Sequence, residues 1–188
     1  MTIKIITFEG PDGFGKTTYC KELCEAIGAE YVKFPNEKLE SGGTLRKIIN
    51  KELPYEPVSF QALNIINRLE TLQVLEDGKT YIFDRYKLSG IIYGILSGVS
   101  EELVEYMHTL LPDPDLTFII LGRCYREDND IYSAKEFQEN VLKFYTKEAM
   151  KFKDKVVTIY NTRTIDEVME TIIDFVELEK IGLTGYKE

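Results

Sequence analysis

The chain has little of the residue types on which several common active sites depend. Its 188 residues include one histidine, His108, and three cysteines, Cys20, Cys24 and Cys124. A single histidine leaves a histidine-based triad or a histidine zinc site without its parts. Three cysteines are odd in number, and their spacing is not a zinc pattern. Cys20 and Cys24 fall one helical turn apart and read as packing thiols, which suits a reducing, cytoplasmic setting. No apolar run approaches the about 20 residues of a membrane span. The N-terminus passes straight into a strand with no signal peptide. Positive charge is also scarce: 23 Lys and Arg against 32 Asp and Glu give a net charge of −9. Such a chain is a poor generic binder of nucleic acid or anionic membrane. Any anionic ligand must then be held by a local cluster of cations.

What is present is concentrated near the start. Gly10-Pro11-Asp12-Gly13-Phe14-Gly15-Lys16-Thr17 fits G-x-x-x-x-G-K-[ST], the phosphate-binding loop. It follows a run that reads as a strand, residues 2–8, and opens a run that reads as a helix, 16 to about 27. The glycines let backbone N–H groups turn inward into an anion nest, and the new helix adds its positive end. Lys16 can reach the β- and γ-phosphates, and the Thr17 hydroxyl can ligate Mg²⁺.

The rest of the chain alternates strands and helices. Strands are expected at 31–34, 80–83, 115–121 and 156–160. Helices are expected at 44–51, 58–76, 88–97 and 101–110, with a loop at 36–44 carrying Gly42 and Gly43. Ser133-x-x-Glu136 and Thr164-x-x-Glu167 read as capping boxes opening the last two helices, to about 150 and 179. The length suits one domain with a full core. The order implies an α/β fold: a five-stranded parallel sheet with helices on both faces, a three-layer sandwich of the P-loop NTPase type, with a short lid near 122–135. The ligand site belongs at the carboxyl ends of the strands. There the phosphate loop, Phe34-Pro35 and Asp84-Arg85-Tyr86 converge.

A phosphate loop alone does not choose between switch, motor and kinase. The nearest match to a guanine reader, Asn50-Lys51-Glu52-Leu53, lacks its aspartate. Motors usually follow the third-strand aspartate with a glutamate, and here Asp84 is followed by Arg85. A cation there suits a phosphorylated acceptor better than an activated water. Such an acceptor is already an oxyanion and needs no general base, so catalysis reduces to in-line positioning and charge neutralisation.

Phe8-Glu9-Gly10-x-Asp12-Gly13-x-Gly15-Lys16-Thr17-Thr18 resembles the opening of the thymidylate kinase family. So do Asn67-Arg68-x-Glu70, Asp84-Arg85-Tyr86-x-x-Ser89-Gly90, Pro112-x-Pro114-Asp115-Leu116 and Phe137-Gln138-Glu139, in the family's order. The resemblance implies transfer of the ATP γ-phosphoryl group to dTMP, with Mg²⁺, in a cytoplasmic homodimer. By position, the loop from Gly10 to Thr18 binds ATP, with Lys16 on the transferring phosphoryl and Asp12 near the acceptor's sugar hydroxyl. Thr17 and Asp84 belong to the metal, and Arg85 to the acceptor phosphate. Arg68 reads the pyrimidine edge, and Phe34 also lies at the acceptor. Tyr93 lies against the sugar C2′, and Tyr132 matches a lid aromatic. Blander roles stand beside these. Asp12 could stabilise a turn, Asp84 could cap one, and Arg85 could pair with a structural carboxylate. Arg68 could pair with Glu70 or Glu76 on the helix surface. Phe34 and Tyr93 could be plain core residues, and Tyr132 a solvent-facing one.

The sequence departs from the family's pattern in four places. Glu37 stands where an acceptor-phosphate arginine is common, leaving Arg46, Lys38, Lys33 or Arg85 alone to serve. Asn64 replaces the aromatic that stacks on the base, with Phe60 a turn earlier. Gly13 replaces a loop arginine, so the catalytic cation is expected from the lid, as Arg126 or then Arg123. Gly94 follows Tyr93 where a glutamine is frequent. The second and fourth fall on base recognition, so dUMP or another deoxynucleotide stays open beside dTMP. A kinase for a nucleoside or other small acceptor, and a non-enzymatic nucleotide-binding protein, are the alternatives. Arg123 and the loop Asn161-Thr162-Arg163 are candidates for the adenine side. Ile65, Ile66 and Leu69 make 58–76 the candidate dimer helix.

Overall fold

The structure, a computed structural model, describes residues 4–125, 130–150 and 155–180, the side chains of 179 and 180 excepted. Five parallel strands form one sheet: β1 (Lys4–Glu9), β2 (Glu30–Lys33), β3 (Thr80–Asp84), β4 (Leu116–Leu121) and β5 (Val156–Tyr160). Their order is β2-β3-β1-β4-β5, with β1 central. Alternation along β1 sets the two faces. Ile6 and Phe8 pack with Tyr19, Cys20 and Leu23 of α1 (Lys16–Ile27) and Val168, Ile172 and Val176 of α7 (Ile165–Lys180). Ile5 belongs to the core on the opposite face, with Phe34, Phe83 and Tyr86. That face is covered by α2 (Glu40–Ile49), α3 (Pro57–Gln73), α4 (Lys87–Leu96), α5 (Glu101–His108) and α6 (Lys135–Ala149). No helix among the described residues is long and apolar enough to cross a membrane.

Local chemistry explains most boundaries. Gly28 ends α1 in the left-handed region, at φ 68°, and the next N–H returns to Cys24 O. Thr164 and Glu167 form the expected reciprocal capping box, Thr164 N donating to Glu167 Oε2 at 2.9 Å. The box expected at Ser133 does not form. The Ser133 hydroxyl donates to Asp130 O at 2.8 Å, and α6 begins at Lys135 behind Ala134. The loop expected at 36–44 is corrected too, because α2 already starts at Glu40 and contains Gly42 and Gly43. Gly42 is there for close approach rather than for a turn: a Cβ would run into the Asn36 carbonyl and come within 2.9 Å of Asn67 Nδ2. Helix α3 stops at Gln73 rather than 76. The strand expected over 2–8 is described from Lys4, residues 1–3 lying outside the described residues.

Candidate active site

The phosphate loop turns between the end of β1 and the first turn of α1. Gly10, Gly13 and Gly15 carry φ of 144°, 78° and 86°, which side chains rarely adopt. A Cβ on Gly10 would lie 2.5 Å from Ile120 O. The Phe14 ring packs into the core, leaving its backbone to the loop. Lys16 donates to Pro11 O within the loop. Burial first, then the charge of Arg85, push its amine down to about 8 against the pull of Asp12 and Asp84.

At the ends of β1 and β3 the two sides of the site meet. Thr17 donates its hydroxyl to Asp84 Oδ2 at 2.6 Å, and the Tyr31 hydroxyl donates to the same oxygen at 3.0 Å. Arg85 sits at φ 72° and spreads its fork across three partners. Nη1 donates to Gly10 O at 3.2 Å and Ser89 Oγ at 3.1 Å, and Nη2 pairs with Asp12 Oδ1. Asp12 Oδ2 accepts from the Tyr93 hydroxyl and, at 3.4 Å, from Gln138 Nε2. Burial works to raise the Asp12 carboxyl. The charges of Arg85 and Lys16 and the Tyr93 hydroxyl outweigh it and hold the group well below the usual carboxylate range. Asp12 is therefore no mere turn former, and the carboxylate paired with Arg85 is itself in the site.

Beneath this cluster lies a residue to which the sequence assigned no role. Glu9 is fully buried, and its carboxyl accepts from the backbone N–H of Tyr86, Leu88 and Ser89 and from the Ser89 hydroxyl. It thus caps the start of α4 from the neighbouring strand. Ser89 spends its proton on Glu9, so the Tyr145 hydroxyl of α6 donates to Ser89 at 2.8 Å. Burial pushes the Glu9 carboxyl up, partly offset by Ser89, Arg85 and Arg68.

A cavity of about 610 Å³ opens over the cluster. Its floor includes Asp12, Lys16, Thr17, Asp84 and Arg85, and its far wall Phe34, Arg68, Tyr93 and Tyr132. Arg68 does not pair with Glu70 or Glu76. It is buried, donates from Nη2 to Tyr86 O at 2.9 Å and lies 5.7 Å over the Phe34 ring. Glu70 instead accepts from Ser41, and Glu76 pairs with Lys79. Tyr132 is not solvent-facing: its ring packs against Tyr93 at 4.9 Å and Phe137 at 5.1 Å. Phe60 lines the same wall, and Asn64 turns its amide back to Phe60 O at 3.0 Å. Of the cations weighed against Glu37, Arg46 and Lys33 reach the cavity, while Lys38 lies in a separate groove. Glu37 holds Arg46 at 2.8 Å.

The adenine side differs from expectation. Asn161 is fully buried and its amide is consumed by backbone, donating to Phe14 O and Arg123 O and accepting from Arg123 N. It ties the phosphate loop to the segment after β4 and has no amide hydrogen left for a base. Arg163 donates to Thr171, and Arg123 lies 5.7 Å over the Tyr125 ring rather than in the cavity wall. Arg126 lies outside the described residues. Of the dimer candidates, Ile65 is buried, Leu69 packs on the core, and Ile66 is 47% exposed.

The sequence profile of the thymidylate kinase family matches residues 8–172. The chain belongs to that family. It is an ATP-dependent phosphotransferase acting on a nucleoside monophosphate. Solved thymidylate kinases share its fold. The enzyme of Candida albicans, whose structure is described as revealing the origin of broad substrate specificity, is 22% identical and superposes with a TM-score of 0.79 over 94% of this chain and 92% of that one. The enzyme of Ehrlichia chaffeensis is 25% identical, with a TM-score of 0.72 over 93% of this chain and 98% of that one.

The residues present suit a magnesium ion. Among the described residues no three His, Cys, Asp or Glu cluster as a cage. Mg²⁺ at a nucleotide needs only one or two protein oxygens beside phosphates and water. Thr17, donating its proton to Asp84, keeps its oxygen lone pairs for a cation.

Proposed function

We propose that this protein, as one domain with a lid near 122–135, transfers the γ-phosphoryl group of ATP to dTMP, giving dTDP and ADP. The observation that carries the reading is Asp12. One carboxylate on the phosphate loop is bonded to Arg85 and Tyr93, the groups that line the acceptor's side. Donor loop and acceptor wall are thus registered through a single residue.

The geometry supports the following roles. Backbone N–H groups of the loop from Gly10 to Thr18 and the start of α1 receive the ATP phosphates. Lys16 leaves Pro11 O to lie along the transferring phosphoryl. Thr17 and Asp84 would hold Mg²⁺, which when bound would supply neutralisation of phosphate charge. Arg85, with Arg46 at the rim, holds the acceptor phosphate. Asp12 and the Tyr93 ring fit the sugar, Arg68 the base. The acceptor phosphate is already anionic, so no general base is required, and His108 is buried away from the cavity wall. Arg126 is the lid cation in this reading. The same reading makes the protein a cytoplasmic homodimer in which the exposed Ile66 and Val58 of α3 lie toward the partner. Its net charge of −9 argues against nucleic acid as a ligand.

A coupled assay of ADP release with dTMP, dUMP, dCMP, dGMP and dAMP tests it. Turnover of dTMP is expected. No turnover with any of the five overturns the reading, and turnover of thymidine instead of dTMP selects a nucleoside kinase.

A further inference from the structure

Polar groups buried without partners are costly, so native proteins leave few of them unless a ligand completes the bond. Two residues on one side of α3 carry such groups. Arg68 uses Nη2 on Tyr86 O, while its Nε and Nη1 are buried with no protein partner. Gln61, two turns earlier on α3, is 1% exposed, and its Oε1 is likewise buried with no partner. Both residues line the cavity. At a spacing of seven they lie on the same helix face.

The facing helix has been cleared for both. Gly90 and Gly94 lie one turn apart on α4. A Cβ on Gly90 would come 3.0 Å from the Arg68 guanidinium nitrogens. One on Gly94 would come 3.1 Å from Gln61 Cδ and 3.2 Å from its Nε2. A side chain at Gly90 would first run into His108, one at Gly94 would meet Val104 Cγ2 at 2.9 Å, and each would then crowd these groups. The Gln61 amide thus lies against α4 with its Nε2 near Gly94, and its Oε1 is the end without a partner.

Building on the kinase reading above, we propose that Gln61 is a specificity-determining residue. Its Oε1 accepts from the ring N–H of the acceptor base while Arg68 donates to the adjacent carbonyl. A donor beside an acceptor matches a base edge with C=O beside N–H. Thymine and uracil present that order. Cytosine and adenine present the reverse, an amino donor beside a ring-nitrogen acceptor. The pair therefore selects 4-oxo pyrimidines and rejects cytosine. Guanine offers the same order on its 6-oxo edge, so only the size of the wall decides against it. Asn64 in place of a ring makes that wall smaller.

The test begins with the unaltered protein. kcat/KM for dTMP and dUMP should exceed that for dCMP by at least about 10²-fold, because a buried acceptor and donor would otherwise be set against like groups. Gln61→Leu should lower kcat/KM for dTMP and dUMP by about 10- to 100-fold, through KM. KM for ATP and the melting temperature should stay near the parent's, and the preference over dCMP should shrink. An analogue needs no variant: dTMP methylated at N3 should bind the parent at least about 10-fold more weakly than dTMP. Gln61→Ala, which removes the acceptor and opens space, should narrow that gap. Equal use of dUMP and dCMP by the parent, or an oxo-to-amino preference untouched in Gln61→Leu, overturns the assignment while leaving the kinase reading standing. Absence of turnover with every acceptor overturns both.

Discussion

Arg85 Nη2 and Asp12 Oδ1 form an ion pair that joins the end of β3 to the phosphate loop, with the Arg85 guanidinium 5.2 Å over the Tyr93 ring. In the proposed reading the pair holds the guanidinium where the acceptor phosphate arrives. The fork matters as much as the charge, since it also reaches Gly10 O and Ser89. Arg85→Lys keeps the charge and loses the fork. We expect kcat to fall by about 10²–10³-fold with KM for ATP within about threefold of the parent. Steady-state kinetics with both substrates varied decides this, and an unchanged kcat would remove Arg85 from the transfer step.

Lys16 sets a basic limit. Burial and Arg85 lower its amine to about 8 in the ligand-free protein. The charged form is the one that binds phosphate, so kcat/KM for ATP should fall about tenfold per pH unit above that value. Bound ATP adds negative charge and should move the limb upward in kcat. A pH profile flat to pH 9.5 in kcat/KM would contradict the assignment.

His108 makes stability depend on pH. Its Nδ1 bonds Val104 O at 2.7 Å, and burial, then the Arg68 charge, push the imidazole down to about 4. The unfolded chain takes up this proton near the ordinary imidazole value of 6.5 and the folded one only near 4. Stability from the neutral ring is therefore complete above 6.5 and is lost as pH falls toward 4, by up to about 3 kcal/mol at about 1.4 per unit. Urea melts at pH 7 and 4.5 should show His108→Gln losing less stability on acidification than the parent. An equal loss would show that the histidine does not carry the dependence.

Gly90→Ala tests the crowding around Arg68. The new methyl would press on His108 Nε2 and stand 3.0 Å from the guanidinium. Overpacking of this kind costs about 1–3 kcal/mol. We expect a lower melting temperature and a KM for the acceptor raised about tenfold, with KM for ATP unaltered. A variant with parental acceptor KM would show that Arg68 tolerates displacement.

The strands were readable because a sheet buried on both faces leaves apolar runs, as in Leu116 to Leu121. The phosphate loop was readable because phosphate binding demands particular glycines. The start of α2 was hidden because Gly42 looks like a loop residue, whereas it serves a contact with Asn36 and Asn67, distant in sequence. Ser133 has the capping residue's chemistry, and a nearer carbonyl claimed its hydroxyl. Glu9 stands in a quoted motif, but its partners are backbone amides that no sequence pattern displays. Gln61 carried one faint signal, an amide seven residues before Arg68 and so on the same face of the helix. Asn161 was read for a base, and only its burial shows that the fold consumes it.

The cap that Glu9 places on α4 has a consequence for tolerance. The phosphate loop leaves β1 at the residue after Glu9, while Ser89 hangs from the same carboxyl and Tyr145 from Ser89. Positional errors between the donor's cradle and the acceptor's wall therefore do not accumulate through the many residues that separate them in the chain. Misplacement by about 1 Å costs in-line chemistry about 10²-fold, so in the proposed reading a carboxyl outside the cavity wall helps set the accuracy with which the two substrates are brought together.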